Sequence, residues 1–255
     1  MNLTFIGNGN MAKALIKGLV KTNTIEVIGR NEASLNKLQE ELPQIITRVI
    51  KEKEDITDKN IILCVKPYSL PELSSKLKGK AEAIYSVLAG TSIDSLKARI
   101  DSKNYVRTMP NLGASYLKSM TTITGDEELK PSALNIFDKI GKSLWLSSEN
   151  ELDIATGVAG SGPAYLALIA ESLADGAVKS GLKRADAQML VAGLFDSFAP
   201  LVLNENPALI KDGVMSPGGT TAAGYGALER GNVRNSMIEA VEDAYSKALE
   251  LKEKN

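Results

Sequence analysis

The first part of the chain alternates between two patterns. Short runs are apolar throughout, and the segments between them are apolar on one side only. The runs at residues 2–6, 25–28, 45–50, 60–65, 83–88, 105–109, 120–124 and 143–146 read as strands. After the first of them, Met11, Leu15 and Leu19, together with Ala12, Ile16 and Val20, form a stripe at helical spacing. Residues 32–42 form a second helix with Leu35, Leu38 and Leu42 on one side. Segments 69–77, 93–100 and 134–140 also read as helices. Strands without polar alternation are buried on both faces. Their regular interleaving with helices implies a mainly parallel, doubly wound sheet, an α/β fold.

The pattern changes after Ser147-Ser148-Glu149-Asn150. Beyond it no strand is legible. Residues 152–181 read as one long alanine-rich helix, bent at Gly160-Ser161-Gly162-Pro163, and 185–203, 221–229 and 233–252 as further helices. This divides the chain into an α/β domain, 1–149, and an all-α domain, 150–255. Stretches 158–173 and 190–203 carry few charges, so those helices face a core or a subunit interface.

Composition narrows the chemistry. The 255 residues are 44% hydrophobic and 24% charged, as expected of a globular protein. No apolar run is long enough to suggest a membrane span. The N-terminus, MNLTFIG, reads as a strand and turn rather than a signal peptide, which makes the cytoplasm the expected compartment. The net charge of −1 is spread over interleaved acids and bases, so nucleic-acid binding is not expected. One cysteine, Cys64, excludes an intramolecular disulfide and a cysteine-built metal site, and it reads as a small core residue. There is no histidine. That excludes a Ser-His-Asp hydrolase and any dehydrogenase that depends on imidazole for proton transfer.

Two glycine-rich turns carry the chemistry that remains. Gly7-Asn8-Gly9-Asn10-Met11-Ala12 follows the first strand and opens the first helix, where a dinucleotide fingerprint belongs. Its glycines permit a tight turn and close approach to a pyrophosphate. The second strand ends in Gly29-Arg30-Asn31, with no acid to hold ribose hydroxyls, so Arg30 reads as a 2′-phosphate partner or as a solvated surface arginine. Val65, Lys66 and Pro67 end the fourth strand on the ligand side. Lys66 is equally a ribose or carboxamide donor and a solvated loop lysine. Ala89 and Gly90 offer a smooth wall for a nicotinamide, and Asn111 ends the following strand on the same side. The second turn, Ser216-Pro217-Gly218-Gly219-Thr220-Thr221, reads as buried and runs into a helix. Backbone N–H groups, hydroxyls and a positive helix end together suit a small carboxylate.

The motifs GNGNMA, CVKP, RTMPN, GSGPAY and SPGGTT occur in an order that resembles pyrroline-5-carboxylate reductases, and the resemblance runs across nearly the whole chain. It implies reduction of 1-pyrroline-5-carboxylate to L-proline by NADPH or NADH. It also implies a Rossmann domain followed by a helical dimerisation domain, in a homodimer that assembles further. It carries Ser216, Gly218, Gly219, Thr220 and Thr221 to the substrate site, with Thr221 as partner of the ring nitrogen, and Glu149 and Glu171 to the cofactor–substrate region. The chain departs from some relatives at Lys51 and Gly213, where they have asparagine. Imine reduction agrees with the missing histidine, because a cyclic iminium can arrive already protonated. Two other readings are a β-hydroxyacid dehydrogenase, which needs a lysine on the long helix where only Lys179 is found, and a non-catalytic NADP-binding regulator.

Overall fold

The computed structural model describes residues 1–254. Its chain packs into two compact units. One comprises Met1–Ser161 together with the residues from Val241 on, and the other Gly162–Ala240.

The first unit is built on one sheet of eight strands: β1 (Asn2–Ile6), β2 (Thr24–Gly29), β3 (Ile46–Val49), β4 (Asn60–Leu63), β5 (Ala81–Ser86), β6 (Ser102–Met109), β7 (Ser119–Gly125) and β8 (Gly141–Trp145). Their order across the sheet is β3-β2-β1-β4-β5-β6-β7-β8. β6 and β7 are antiparallel. Every other neighbouring pair is parallel. This is a Rossmann-type sheet extended by two strands beyond β6. The chain moves outward from β1 to β3, then crosses back to β4 on the other side of β1. That reversal leaves a crevice at the carboxyl ends of β1 and β4, where α/β sheets bind ligands.

Alternation along the strands places two cores on the two faces. Phe5 lies opposite both Val27 and Ile62, and Ile62 opposite Tyr85. This face packs against α1 (Asn10–Leu19), α2 (Glu32–Glu41) and α5 (Lys130–Phe137) through Leu15, Ile16, Leu38 and Phe137. Ile6, Ile61, Leu63 and Ile84 point the other way, toward α3 (Leu70–Ser75) and α4 (Ile93–Lys97) through Leu70, Leu73 and Leu96. The alternating strand-and-helix reading therefore holds for this unit. Glu54–Asp55 and Leu77–Lys78 form a separate two-residue parallel ribbon that no pattern in the sequence announces.

The long helix expected over 152–181 is interrupted. α6 (Glu149–Ala155) passes into a wide π-turn, Thr156–Gly160, where the Ser161 N–H reaches the Thr156 carbonyl at 2.9 Å. α7 (Gly162–Lys179) then starts afresh. Pro163 has no N–H to continue the ladder, so the break falls where the glycines and proline stand. In the second unit α8 (Arg184–Asn204), α9 (Pro207–Val214) and α10 (Thr220–Arg230) follow. α9 was not legible beforehand. It is only eight residues long and opens on Pro207, with the Asn206 side chain accepting from the Ala208 N–H. α11 (Val233–Lys254) supplies residues to both units. In the second unit the Tyr165 hydroxyl donates to the Ala240 carbonyl.

The expectation that no segment is long and apolar enough to suggest a membrane span does not hold. By length and composition, Glu149–Lys179 and Arg184–Asn204 could each cross a membrane, with windows of mean hydropathy 1.3. Alanine and glycine between the larger residues hide this in a search for unbroken apolar runs.

Candidate functional site

The glycine turn after β1 is forced by packing. Gly7 has φ +107°, and a Cβ there would lie 2.4 Å from the Cys64 carbonyl oxygen. The Gly7 N–H bonds the Ile28 carbonyl at 2.8 Å. β1, β2 and β4 thus meet at one residue that cannot carry a side chain. Gly9 differs. Nothing lies within 4 Å of its absent Cβ, so its packing does not require glycine, although an approaching ligand would. It stands at the start of α1 without a side-chain cap, leaving first-turn N–H groups directed outward.

These residues open onto a cavity of about 690 Å³, within the size range of small-molecule sites. Gly7, Asn8, Gly9, Asn10, Met11, Arg30, Val65, Lys66, Pro67 and Ala89 all line it. So do Ile50, Val87, Leu88, Met109, Pro110, Leu112, Glu72 and Lys76, which the sequence reading missed. Most of these follow a strand's carboxyl end, the signal that could have found them. Glu72 and Lys76 come from α3 and the residue after it, and only the fold brings them there. The Asn8 Nδ2 is buried without a hydrogen-bond partner among the described residues. An open cradle at Gly9, uncapped helix N–H groups and an orphan amide donor fit a dinucleotide pyrophosphate. Burial pushes the Cys64 thiol pKa up, which keeps it protonated beside the cavity.

Three candidate residues have other work. The Asn31 side chain accepts from the Ser34 N–H and caps α2. Asn111 accepts from the Gly113 N–H and donates through Nδ2 to the Ala159 carbonyl at 2.9 Å. Gly90, at φ +63°, faces Leu251, whose Cβ would be 2.6 Å from a Cβ at Gly90. Its glycine is explained by the docking of α11, while Ala89 faces the cavity. Glu149 is likewise engaged. It accepts from the Ile93 N–H at 3.0 Å and from Arg107 Nη1 at 2.7 Å. Arg107 is buried and also bonds Asp153 at 2.8 Å. Asp153 lies 3.4 Å from Lys252 of α11. This network ties β6, α4, α6 and the end of α11 together.

The second turn belongs to the other unit. Gly218 has φ +69° with open space around it, and Gly219 is the first-turn cap of α10, without a side-chain hydrogen bond. The Gly219 N–H closes the turn onto the Ser216 carbonyl at 3.0 Å. Contrary to the buried reading, Ser216, Pro217, Gly218, Thr220 and Thr221 are exposed. The turn lies at the surface of its own unit. α10 is braced at its far end, where Arg234 bonds both Glu229 and the Tyr225 hydroxyl. Glu171 is exposed on α7, and Lys179 is exposed at its last position. No group of three or more metal-ligating side chains occurs among the described residues.

Residues 149–251 match the family described as pyrroline-5-carboxylate reductase dimerisation, and residues 2–90 that of NADP oxidoreductase coenzyme F420-dependent. A pyrroline-5-carboxylate reductase of Helicobacter pylori is 34% identical, over 96% of this chain and 98% of its own length. The chain belongs to the pyrroline-5-carboxylate reductase family. The 1-pyrroline-5-carboxylate reductase of Streptococcus pyogenes superposes with a TM-score of 0.86 at 30% identity, covering 98% of both chains. A Plasmodium falciparum pyrroline carboxylate reductase with NADP bound gives 0.80 at 26%, covering 99% of this chain and 100% of the other. The reductase chain described here thus spans essentially the full length of its relatives and carries the family's dimerisation region.

Proposed function

We propose that the chain reduces 1-pyrroline-5-carboxylate to L-proline, with NADPH as the preferred cofactor and NADH as an alternative. Full-length likeness to pyrroline-5-carboxylate reductases carries this reading. Its chemistry agrees with the two turns. The residues lining the β1/β4 crevice, from Gly7–Met11 to Ala89, would hold the dinucleotide, with the N–H groups of Asn10 and Met11 available to its pyrophosphate. When bound, the nicotinamide supplies a hydride to carbon five of the imine. The electron pair of the C=N bond then passes to nitrogen, which keeps its proton and becomes the amine of proline. No histidine is needed for this, because the iminium arrives protonated. The Thr220 N–H at the start of α10 binds the carboxylate, assisted by the positive end of that helix, while the Gly219 N–H is taken up by the Ser216 carbonyl. Ser216 and Gly218 shape that turn. The Thr221 hydroxyl holds the ring nitrogen.

Arg30 supports the NADPH preference. It stands at the end of β2 on the cavity wall, where an acid would otherwise hold the ribose hydroxyls. The exposed apolar faces of α7 and α8, including Leu166, Leu168, Met189, Leu190 and Leu194, support a homodimer that assembles further. In this reading those helices meet a second copy rather than a bilayer, and the enzyme works in the cytoplasm. The test is to mix the protein with NADPH and 1-pyrroline-5-carboxylate. Loss of NADPH matched one-to-one by proline is expected, and a folded protein that leaves both reactants unchanged would refute it.

A further inference from the structure

Arg30 is not the only cation at its end of the cavity. Lys76 lines the same wall, and Glu72 lies between the two. One carboxylate oxygen of Glu72 is 3.5 Å from Arg30 Nη1, and the other is 3.4 Å from Lys76 Nζ. Lys76 is well anchored. Its carbonyl accepts from the Glu54 N–H at 2.7 Å, which fixes it at the start of the Leu77–Lys78 strand, and its side chain is the least exposed of the three. Glu52 reaches it only at 3.9 Å, from a nearly fully exposed position.

Two cations bridged by one flexible carboxylate form an anion site that carries its own competitor. A phosphate on the adenosine ribose is a dianion and takes both cations once Glu72 swings out. A ribose hydroxyl is a donor, and Glu72 can accept from it where it stands. We infer that Lys76 and Glu72 set the choice between the two cofactors. Lys76 is a second phosphate-binding cation beside Arg30, and Glu72 is the anion that opposes the phosphate and keeps the unphosphorylated cofactor usable. This rests on the reading that Arg30 faces the 2′-phosphate.

The test measures equilibrium binding of NADP⁺ and NAD⁺ by calorimetry, alongside kcat/KM for NADPH and NADH. Lys76→Met lowers the ratio of NADP⁺ to NAD⁺ affinity by about threefold to tenfold, the scale of one partly exposed charge contact. Glu72→Gln raises the same ratio by a similar factor. The steeper loss of NADP⁺ affinity with added salt becomes shallower in Lys76→Met. A wild type that prefers NADP⁺ with an unmoved ratio in either variant overturns this inference and leaves the cofactor reading standing. A wild type without preference, unaffected by Arg30→Glu, overturns both.

Discussion

Gly7 joins three strands at one point, and a side chain there would strike the Cys64 carbonyl, so its glycine is required by the fold itself. At Gly9 nothing lies within 4 Å of an added Cβ, so its packing does not require glycine. The pair gives a contrast that kinetics can read. Gly9→Ala should fold normally and raise KM for the cofactor, whereas Gly7→Ala should lower Tm as well, by a measurable margin in thermal melts. The substrate turn offers a second contrast. Thr221→Val removes a hydroxyl and keeps the shape. If the hydroxyl engages the ring nitrogen as hydride transfers, kcat should fall about ten- to a hundredfold, the cost of roughly 1.5–3 kcal/mol for a bond to a charged group. A rise in KM alone would place Thr221 in ground-state binding instead. Gly219→Ala is a less specific probe than the sequence suggests, because its Cβ would first meet Ser216 Oγ at 2.5 Å. Arg30→Glu should shift the kcat/KM ratio from NADPH toward NADH, and steady-state kinetics with both cofactors checks it. Most cavity residues were legible because a glycine turn and a strand end declare themselves locally. Asn31, Gly90 and Asn111 also follow strand ends but do not line that cavity. In each, the side chain or α-carbon is committed to a cap or a helix contact that only the fold reveals.

Among the elements, the apolar strands and the stripes of α1 and α2 were readable because burial dictates their pattern. The ribbon of Glu54–Asp55 and Leu77–Lys78 was not, since it is too short to have a period. It matters nonetheless, because Glu54 is buried there and accepts two 2.5 Å bonds from Arg48, which also bonds Glu26 of β2. Hydrogen bonds from Arg48 hold the Glu54 carboxyl below its usual pKa of 4.5. At Glu26, burial pushes the pKa up, but the bonds from Lys59 and Arg48 outweigh it and the pKa falls below 4.5. A lowered folded-state pKa contributes stability that is present above the unfolded value near 4.5 and is lost as pH falls through the folded one. Thermal melts between neutral and acid pH should therefore show stability dropping below about pH 4.5. Glu54→Gln should cost about 1–2 kcal/mol at neutral pH, since Arg48 keeps Glu26, and flatten that drop. An equally steep acid drop in the variant would place its origin elsewhere.

For the whole molecule, the exposed apolar faces of α7 and α8 are legible in composition but not in destination, since the same residues suit a bilayer or a partner. The family's dimerisation region supports a partner. Sedimentation should show a dimer or larger assembly. Leu190→Asp with Leu194→Asp should shift it toward the 27.2 kDa monomer. A wild type that is active and monomeric would contradict the assembly. Hydride transfer to a cyclic imine is the central step, and one labelling measurement reaches it. The protein is incubated with 1-pyrroline-5-carboxylate and NADPH deuterated at carbon four of the nicotinamide, on the transferred face, and the proline is read by mass spectrometry and NMR. L-proline with one deuterium at carbon five is expected. Unlabelled proline, deuterium at another carbon, or no proline from a folded, cofactor-binding protein would contradict that step.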